Sequence, residues 1–446
     1  MKTIRIIMLI VLFGTSALVA QVPSDSTTIN STISSDTVEN TNKSKVKVSV
    51  LPYPFYSNLF KFGVGGFVGV SGLLSENSLI KAGGFISTNK SILGYVQIEE
   101  FQVPGLERLF IRPDLFFGKL GSVSNYSDLP LPRTKTFSTP AGVNNSDKDN
   151  YFDVEGKYQW YECTFGYLLP IGYGRDNKVA HPILEDGILV GGATGGYSLN
   201  PFKSGRTFLQ SRISYRSLEM SLSNTTTTQV ASGIEFMLNV ENVDYVWNPT
   251  RGYTAKFSYF TDWKDLGGTS TFDVLKADIA CYFPLSDEKS KTPSVLAFDF
   301  KTAHTLNWDE YDLVDFNGKQ VKSYHRPPNF IGAFLGGPKT MRGYMEFRYF
   351  DRSSIYYCSE YRQKLPWNPF NYWSFTRAIG VNWIELAFFG ELGRVAPNWN
   401  FADFHKDMKW DVGTGIRLFM NGLLLRLDVA YGKEGALFQM YYDYSF

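Results

Sequence analysis

Residues 423–431 read Leu-Leu-Leu-Arg-Leu-Asp-Val-Ala-Tyr, and their side chains alternate in polarity along the run. The odd-numbered positions are all apolar, whereas the even-numbered positions include Arg426, Asp428 and Ala430. Successive residues of a β-strand point to opposite faces of a sheet, so this run predicts a strand with one apolar and one polar face. Such strands are typical of membrane β-barrels, whose outer face contacts lipid and whose inner face lines the lumen.

The alternation continues on both sides of this run. Upstream, residues 411–420 alternate between a mostly apolar even-numbered set and an odd-numbered set that contains Asp411 and Arg417. Asn421-Gly422 joins these two strands and is a favoured two-residue hairpin turn. Downstream, the last strand is predicted to place one set of side chains toward lipid: Phe438, Met440, Tyr442, Tyr444 and Phe446.

Thirteen further runs of this kind precede the three C-terminal strands. They lie near 60–71, 78–87, 91–102, 109–123, 155–169, 188–199, 205–222, 227–241, 252–263, 270–284, 293–305, 353–365 and 380–392. We therefore predict an all-β fold, a transmembrane antiparallel β-barrel of about 16 strands, an even number as bacterial barrels require. The first and last strands must pair, because an open sheet edge cannot face lipid. The alternative is a soluble β-sandwich or propeller, whose strands also alternate.

The composition favours the barrel. Aromatic residues make up 16% of the 446 residues, with 27 Tyr and 36 Phe, and the chain contains 40 Gly. Tyr, Trp and Phe form the girdles of membrane barrels at the two lipid–water interfaces. After the N-terminal segment, no apolar run approaches the roughly 20 residues of a membrane helix. The net charge of +1 gives no electrostatic reason to expect nucleic-acid binding.

The N-terminus predicts export. Lys2 and Arg5 precede an apolar stretch over 6–13, and small residues follow up to Ala20. We interpret residues 1–20 as a signal peptide, 21–45 as a disordered periplasmic leader rich in Ser, Thr and Asn, and 46–446 as the barrel. The predicted location is the outer membrane of a Gram-negative bacterium. The leader is too short for a folded periplasmic domain.

We find no pattern that indicates an enzyme. The four histidines have no metal-ligand spacing, residues 336–340 lack the full phosphate-loop motif, and no nucleophile-elbow motif occurs. We therefore predict no catalytic residues, no metal and no cofactor; an outer-membrane lipase with a Ser–His pair on strand faces is the enzymatic alternative. Cys163, Cys281 and Cys358 are predicted to be free strand residues, although a disulfide between two of them stays open.

One connection is far longer than a hairpin needs. Between the strands at 293–305 and 353–365, residues 330–344 combine glycines and aromatic residues with a single arginine, Arg342. Long loops inside compact domains are usually functional or disordered, and this composition predicts a packed loop. The alternative is that Arg342 is an ordinary solvated charge.

Gly336-Gly337, followed by Met341-Arg342-Gly343-Tyr344, resembles the (V/I)-R-G-(F/Y) loop of BamA/TamA-like outer-membrane assembly factors, the bacterial surface antigen family. The resemblance covers about Leu51 to Phe446. It includes Asn248-Pro249-Thr250-Arg251-Gly252, similar to the family's N-P-x-x-G turn, and Tyr442, Tyr444 and Phe446, similar to its barrel-insertion signal.

In that family the long loop folds into the lumen, and its arginine meets acidic and aromatic residues of neighbouring strands. The resemblance implies Glu360, Phe389 and Glu391 as these partners. The family more often has Asp at the position of Glu391. Strand alternation agrees, because Phe389 and Glu391 share one face and Cys358, Glu360 and Arg362 share another.

The resemblance implies a factor that assists insertion or passage of proteins or lipids at the outer membrane. Its partners would be outer-membrane lipids, client outer-membrane proteins, a separate periplasmic protein and the host barrel-assembly machinery. A weakly closed seam between first and last strands would suit this role, and the glycine-rich segment 60–67, predicted to be the first strand, fits one. The alternative is a passive pore, receptor or structural barrel, which the lack of folded periplasmic domains favours.

Overall fold

The computed structural model describes residues 46–75, 78–127, 135–287, 290–316, 318–372, 380–420, 423–442 and 446. The predicted signal peptide and leader, the Asn421-Gly422 turn and Tyr444 lie outside these residues. Among the described residues, no helix has the length and apolarity needed to cross a bilayer.

Sixteen antiparallel strands form one sheet, which confirms the predicted all-β barrel. They are β1 Lys47–Ser57, β2 Lys61–Ser71, β3 Leu79–Ser87, β4 Ile92–Glu99 continued by Phe101–Gln102, β5 Leu109–Asn125, β6 Phe152–Leu168, β7 Arg206–Leu222, β8 Thr225–Val243, β9 Gly252–Asp262, β10 Phe272–Pro284, β11 Ser294–Thr305, β12 Ser353–Lys364, β13 Val381–Ala396, β14 Lys409–Met420, β15 Leu423–Gly432 and β16 Gly435–Tyr442. Each strand pairs with the next along the chain.

Short elements lie in the connections. They are two 3₁₀ helices, Gly172–Arg175 and Pro369–Asn371, the helix α1 Phe401–Phe404, and three small ribbons, Ile183–Glu185 with Ile188–Gly191, Tyr311–Phe316 with Lys319–Tyr324, and Ala333–Leu335 with Tyr349–Asp351. We call the barrel end at which β1 starts and β16 finishes the termini end, and the opposite end the loop end.

Burial follows the predicted alternation. On β15, Val429 and Tyr431 are exposed at the outer surface, whereas Arg426 and Asp428 are each only 2% exposed. The outward set meets lipid, and the inward set must find its partners within the lumen. The charged inner faces of the last strands therefore position the site described below.

One strand was not predicted and one predicted strand is wrong, so the errors cancel in the strand count. The first strand is β1, which was not predicted. The segment 60–67, predicted to be the first strand, lies at the start of β2 instead. β1 contains Pro52 and Pro54, which argue against a strand that pairs on both sides, yet they are tolerated in a strand that pairs only with β2.

Residues 188–199 do not form a barrel strand. They belong to residues 169–205, the connection between β6 and β7 at the termini end, which we call the strap. The Nε1 of Trp383 on β13 donates to the carbonyl oxygen of Gly187 at 3.1 Å, and Ile188 packs against Trp383, Phe419 and Leu424. Since β13–β15 lie almost half-way around the sheet from β6 and β7, the strap crosses this end of the barrel.

The first and last strands meet without a backbone ladder in the described part of the chain. Their contacts run through side chains: Asn58 Nδ2 donates to the Phe438 carbonyl oxygen at 3.2 Å, and the Tyr56 and Phe438 ring centroids lie 5.6 Å apart. The predicted pairing of these strands is therefore not seen in the described residues. Proline lacks a backbone N–H, so Pro52 and Pro54 limit what β1 can offer a neighbour.

Candidate functional site

The connection between β11 and β12, residues 306–352, leaves the loop end and returns into the lumen. Its Met341-Arg342-Gly343-Tyr344 segment is buried, and Met341, Arg342 and Tyr344 are each 0% exposed. Gly336 and Gly337 precede it with φ values of +107° and +114°, which side-chain-bearing residues rarely adopt. We call residues 336–344 the lumen loop.

Arg342 reaches both carboxylates named in the sequence analysis. Its Nη1 donates to Glu360 Oε2 of β12 at 2.7 Å, and its Nε donates to Glu391 Oε1 of β13 at 2.9 Å. The backbone N–H of Arg342 donates to the other oxygen of Glu391 at 2.5 Å. The planar guanidinium thus binds two carboxylates at once, a geometry that the point charge of a lysine cannot reproduce.

Phe389 completes the pocket around the guanidinium. The Arg342 Cζ lies 3.3 Å from the centroid of the Phe389 ring, so the cation stacks on the aromatic face. Burial lowers the pKa of Arg342, but the carboxylates of Glu391 and Glu360 outweigh this effect and hold the pKa well above its usual value. Arg342 is therefore permanently charged, and it is compensated only while it occupies this pocket.

The pocket is one part of a larger buried charge network. Glu360 also binds Arg362 at 2.7 Å and Arg417 at 3.4 Å. Asp428 of β15 binds Arg417 at 2.5 Å and Arg426 at 3.1 Å, and it lies 3.5 Å from Arg342. Each of these two carboxylates serves three arginines, which offsets the cost of removing the charges from water.

Further hydrogen bonds attach the lumen loop to β14 and β16. The Gly343 N–H donates to Asp411 Oδ2 of β14 at 3.1 Å, and Gln439 Nε2 of β16 donates to the Arg342 carbonyl oxygen at 2.9 Å. The Tyr344 hydroxyl donates to the Trp410 carbonyl oxygen at 3.0 Å. With the Arg342 contacts above, the lumen loop contacts every strand from β12 to β16. It thereby holds β16, the strand that borders the seam, in place.

The sequence analysis missed several residues of this network. Asp411, Arg417, Arg426 and Asp428 stood on the polar faces of strands that it had identified, so alternation alone could have assigned them to the lumen. Arg348 had no such signal, because it lies in the loop outside the motif. It is 0% exposed, and it binds Glu434 in the β15–β16 turn at 2.7 Å and Ser146 Oγ at 2.8 Å.

The residues of the predicted insertion signal are not brought together. Tyr442 ends β16, and Tyr444 lies outside the described residues. Phe446 was expected on the lipid-facing side, but its ring stacks on Tyr282 at 6.2 Å and lies 5.1 Å from Arg362 Cζ, inside the barrel. The described strand stops at Tyr442, so its alternation does not extend to Phe446.

The arrangement is suited to holding a conformation. Among the residues that the structure describes, no group of His, Cys, Asp or Glu is placed to bind a metal ion. Cys163, Cys281 and Cys358 are free, and Cys358 is buried with its Sγ 3.4 Å from Arg342 Nη2. The site can therefore latch the lumen loop to the barrel wall through charge-assisted hydrogen bonds.

Gly343→Ala should weaken the latch. A Cβ built at Gly343 would lie 2.6 Å from the Asp411 Cβ, so the backbone cannot keep its present distance from β14. Overpacking of this kind costs about 1–3 kcal/mol. We expect the temperature at which the folded gel band converts to the unfolded one to fall. Gly390→Ala is the matched control, because a Cβ there meets only Val412 Cγ1 at 4.0 Å. Equal transition temperatures for both variants would contradict the close approach.

Comparison with known proteins agrees with this architecture. The model of the Omp85 superfamily domain matches residues 185–437, more than half of the chain. The barrel resembles the structure of CdiB from Escherichia coli with a TM-score of 0.53 at 9% identity, covering 89% of this chain and 61% of that one. At this identity the likeness is one of fold.

Two further solved structures align less closely. BamA from Haemophilus ducreyi lacking POTRA domains 1–3 gives a TM-score of 0.48 at 12% identity, over 90% of this chain and 70% of that one. CdiB from Acinetobacter baumannii gives 0.46 at 10% identity, over 89% and 59%. The chain thus spans about 60–70% of the structures that it matches. No curated protein matches it.

Proposed function

Since this chain belongs to the Omp85 superfamily of outer-membrane barrels, we propose that it assists the insertion or passage of proteins or lipids at the outer membrane. The family assignment confirms the resemblance inferred from the lumen loop, and with it the outer-membrane location. The specific role is our proposal, and so are its client proteins and a separate periplasmic protein that delivers them. We assign no catalytic step to it.

One observation supports this function above the others: β1 and β16 touch through Asn58, Tyr56 and Phe438 without a described ladder. A strand edge that keeps free backbone donors and acceptors can template an incoming strand. The lumen loop supports the same role from inside the barrel, because it holds β16 in place through Gln439.

We include the N-terminal segments in this proposal. Residues 1–20 would direct export and be removed, residues 21–45 would lie in the periplasm, and residues 46–446 would form the barrel in the membrane. The basic Lys2 and Arg5 before an apolar stretch support this division.

Depletion of the protein tests the function directly. We expect a broad fall in other outer-membrane barrels, or in surface lipids, when the outer-membrane fraction is quantified by mass spectrometry. Restoring the wild-type protein should reverse the fall. Loss of the uptake of one solute, with an unchanged set of barrels and lipids, would contradict the proposal and support a pore or receptor.

A further inference from the structure

A cavity of about 900 Å³ fills the part of the lumen next to β1–β5. This size lies within the roughly 300–1,000 Å³ of small-molecule binding sites. The wall formed by β1–β5 is apolar toward the loop end and polar toward the termini end. The separation follows from the register of the first strands.

The apolar layer is built by aromatic rings that lie over glycines. Phe55 and Tyr53 of β1 are opposite Gly63 and Gly65 of β2. A Cβ at Gly63 would lie 2.3 Å from the Phe55 ring, and a Cβ at Gly65 would lie 2.7 Å from the Tyr53 ring. The glycines of β2 are therefore needed so that the rings can lie flat against the wall. Phe85 of β3 continues the layer, with its ring centroid 4.4 Å from that of Phe55.

The polar layer lies on β3, β4 and β5, two to four residues nearer the termini end than the aromatic rings of the same strands. Lys81 of β3 pairs with Glu99 of β4 at 3.1 Å, and Gln97 Nε2 donates to Asp114 of β5 at 3.0 Å. Lys81, Gln97 and Glu99 line the same cavity as the rings. The cavity is therefore amphipathic along the barrel axis, as a site for an amphiphilic molecule would be.

An apolar layer is unusual in this position, because the interior of membrane barrels is normally polar. Contact between such a surface and water costs about 25 cal/mol for each Å². The described elements do not fill the space. The leader 21–45 is a poor occupant, since it is rich in Ser, Thr and Asn. The lining favours a hydrocarbon occupant.

The cavity borders the seam on both sides. Tyr53 and Phe55 of β1 and Met440 and Tyr441 of β16 are among its lining residues. The strap covers it at the termini end with Ala180, Pro182 and Leu184. Because no described ladder joins β1 to β16, the side that faces the bilayer is the one least closed by backbone hydrogen bonds.

We propose that this cavity binds the hydrocarbon chain of a lipid or fatty acid, which enters from the bilayer between β1 and β16. The chain lies against the aromatic layer, and the polar head group lies near Lys81 and Gln97. This site does not depend on the proposed assembly function, since it would bind the same chain in a passive barrel.

Photo-crosslinking tests the site in the full-length protein purified in detergent. The probes are palmitic acid that carries a diazirine on its chain, and a phosphatidylethanolamine that carries the same chain. After illumination, mass spectrometry locates the adducts. Any membrane barrel will be labelled on its outer face, here at Val64, Val68 and Ile86, which are 41–56% exposed. These residues are the internal control for folding and for probe reactivity.

We expect additional adducts on the lumen-facing Tyr95 and Phe116. Labelling by the free acid alone would identify a fatty acid, and labelling by the phospholipid would identify a membrane lipid; both support the site. Phe67 of β2 also lines the cavity. Phe67→Gln should lower lumen labelling about tenfold, the order expected from losing part of one aromatic contact. Val68→Ala, the outward-facing neighbour on β2, should leave it unchanged.

Two outcomes would overturn the proposal. One is labelling confined to Val64, Val68, Ile86 and other outward-facing residues by both probes. The other is lumen labelling that Phe67→Gln leaves at the wild-type level while the protein keeps its heat-modifiable folded band.

Discussion

Arg342→Ala is expected to release the lumen loop from the barrel wall and to lower the stability of the folded barrel. The substitution leaves Glu391 without its Nε and Glu360 without its Nη1 partner in a site where both carboxylates are at most 2% exposed. Breaking a buried ion pair by removing one partner costs about 3–5 kcal/mol. At roughly 1.4 kcal/mol for each factor of ten, the equilibrium constant for docking of the loop falls more than a hundredfold.

Gel mobility and proteolysis measure this effect. The folded band of Arg342→Ala should convert to the unfolded one at a lower temperature, trypsin should cleave near Lys339 and Arg348, and the protein's level in the outer membrane should fall. Arg342→Lys should be intermediate, because it keeps the charge without the fork geometry. Arg326→Ala is the matched control, since Arg326 is an exposed residue of the same connection that packs on Trp308 and Tyr324. Wild-type behaviour of Arg342→Ala would show that Arg342 does not hold the lumen loop to the barrel wall.

Cross-linking the seam is expected to abolish the proposed function. Tyr56 and Phe438 face each other across β1 and β16, with ring centroids 5.6 Å apart. Cysteines at both positions, in a background with Cys163→Ser and Cys281→Ser, would be joined by a short bis-methanethiosulfonate. This reagent forms a reducible disulfide with each thiol and releases methanesulfinate, so it would fix the two strands together. If clients insert at this edge, cells that depend on the cross-linked protein should show the same loss of outer-membrane barrels or lipids as depleted cells.

The control cross-link joins the same position on β16, residue 438, to β15, the strand on the other side of β16. Val429 of β15 is already paired with Phe438, so cysteines at 429 and 438 join strands that backbone hydrogen bonds hold together anyway. This cross-link should leave the function intact. Reduction of the linker in the seam variant should restore the function there. Full activity of a quantitatively cross-linked seam variant would show that clients do not use the seam.

Period-two alternation predicted the fold because it is a local property that the barrel enforces along whole strands. It put Phe389 and Glu391 on one face of their strand, and Glu360 with Cys358 and Arg362 on one face of theirs. All five side chains are buried in the structure. It failed where regularity ends. Residues 188–199 alternate over part of their length because Ile188–Gly191 forms a small ribbon, but no local pattern shows that the strap crosses the barrel end.

The two prolines explain why β1 was missed. Pro52 and Pro54 are signs of a loop in most contexts, and only the position of β1 at the edge of the sheet makes them acceptable. The network around Arg342 shows a different limit. Alternation assigns a face to Asp411 and Asp428, but the order of strands around the barrel decides that they meet Gly343 and Arg417.

The thiol of Cys358 gives the most direct test of the docked loop. In a variant with Cys163→Ser and Cys281→Ser it is the remaining cysteine, it is 4% exposed, and Arg342 Nη2 lies over its sulfur at 3.4 Å. We would measure its rate of reaction with a water-soluble maleimide in the folded, detergent-solubilised protein. We expect almost no labelling of Cys358 while the wild-type loop is docked, rapid labelling after Arg342→Ala, and complete labelling after heat denaturation. Labelling of folded protein that keeps Arg342 at the rate of the denatured chain would show that the loop does not occupy the lumen.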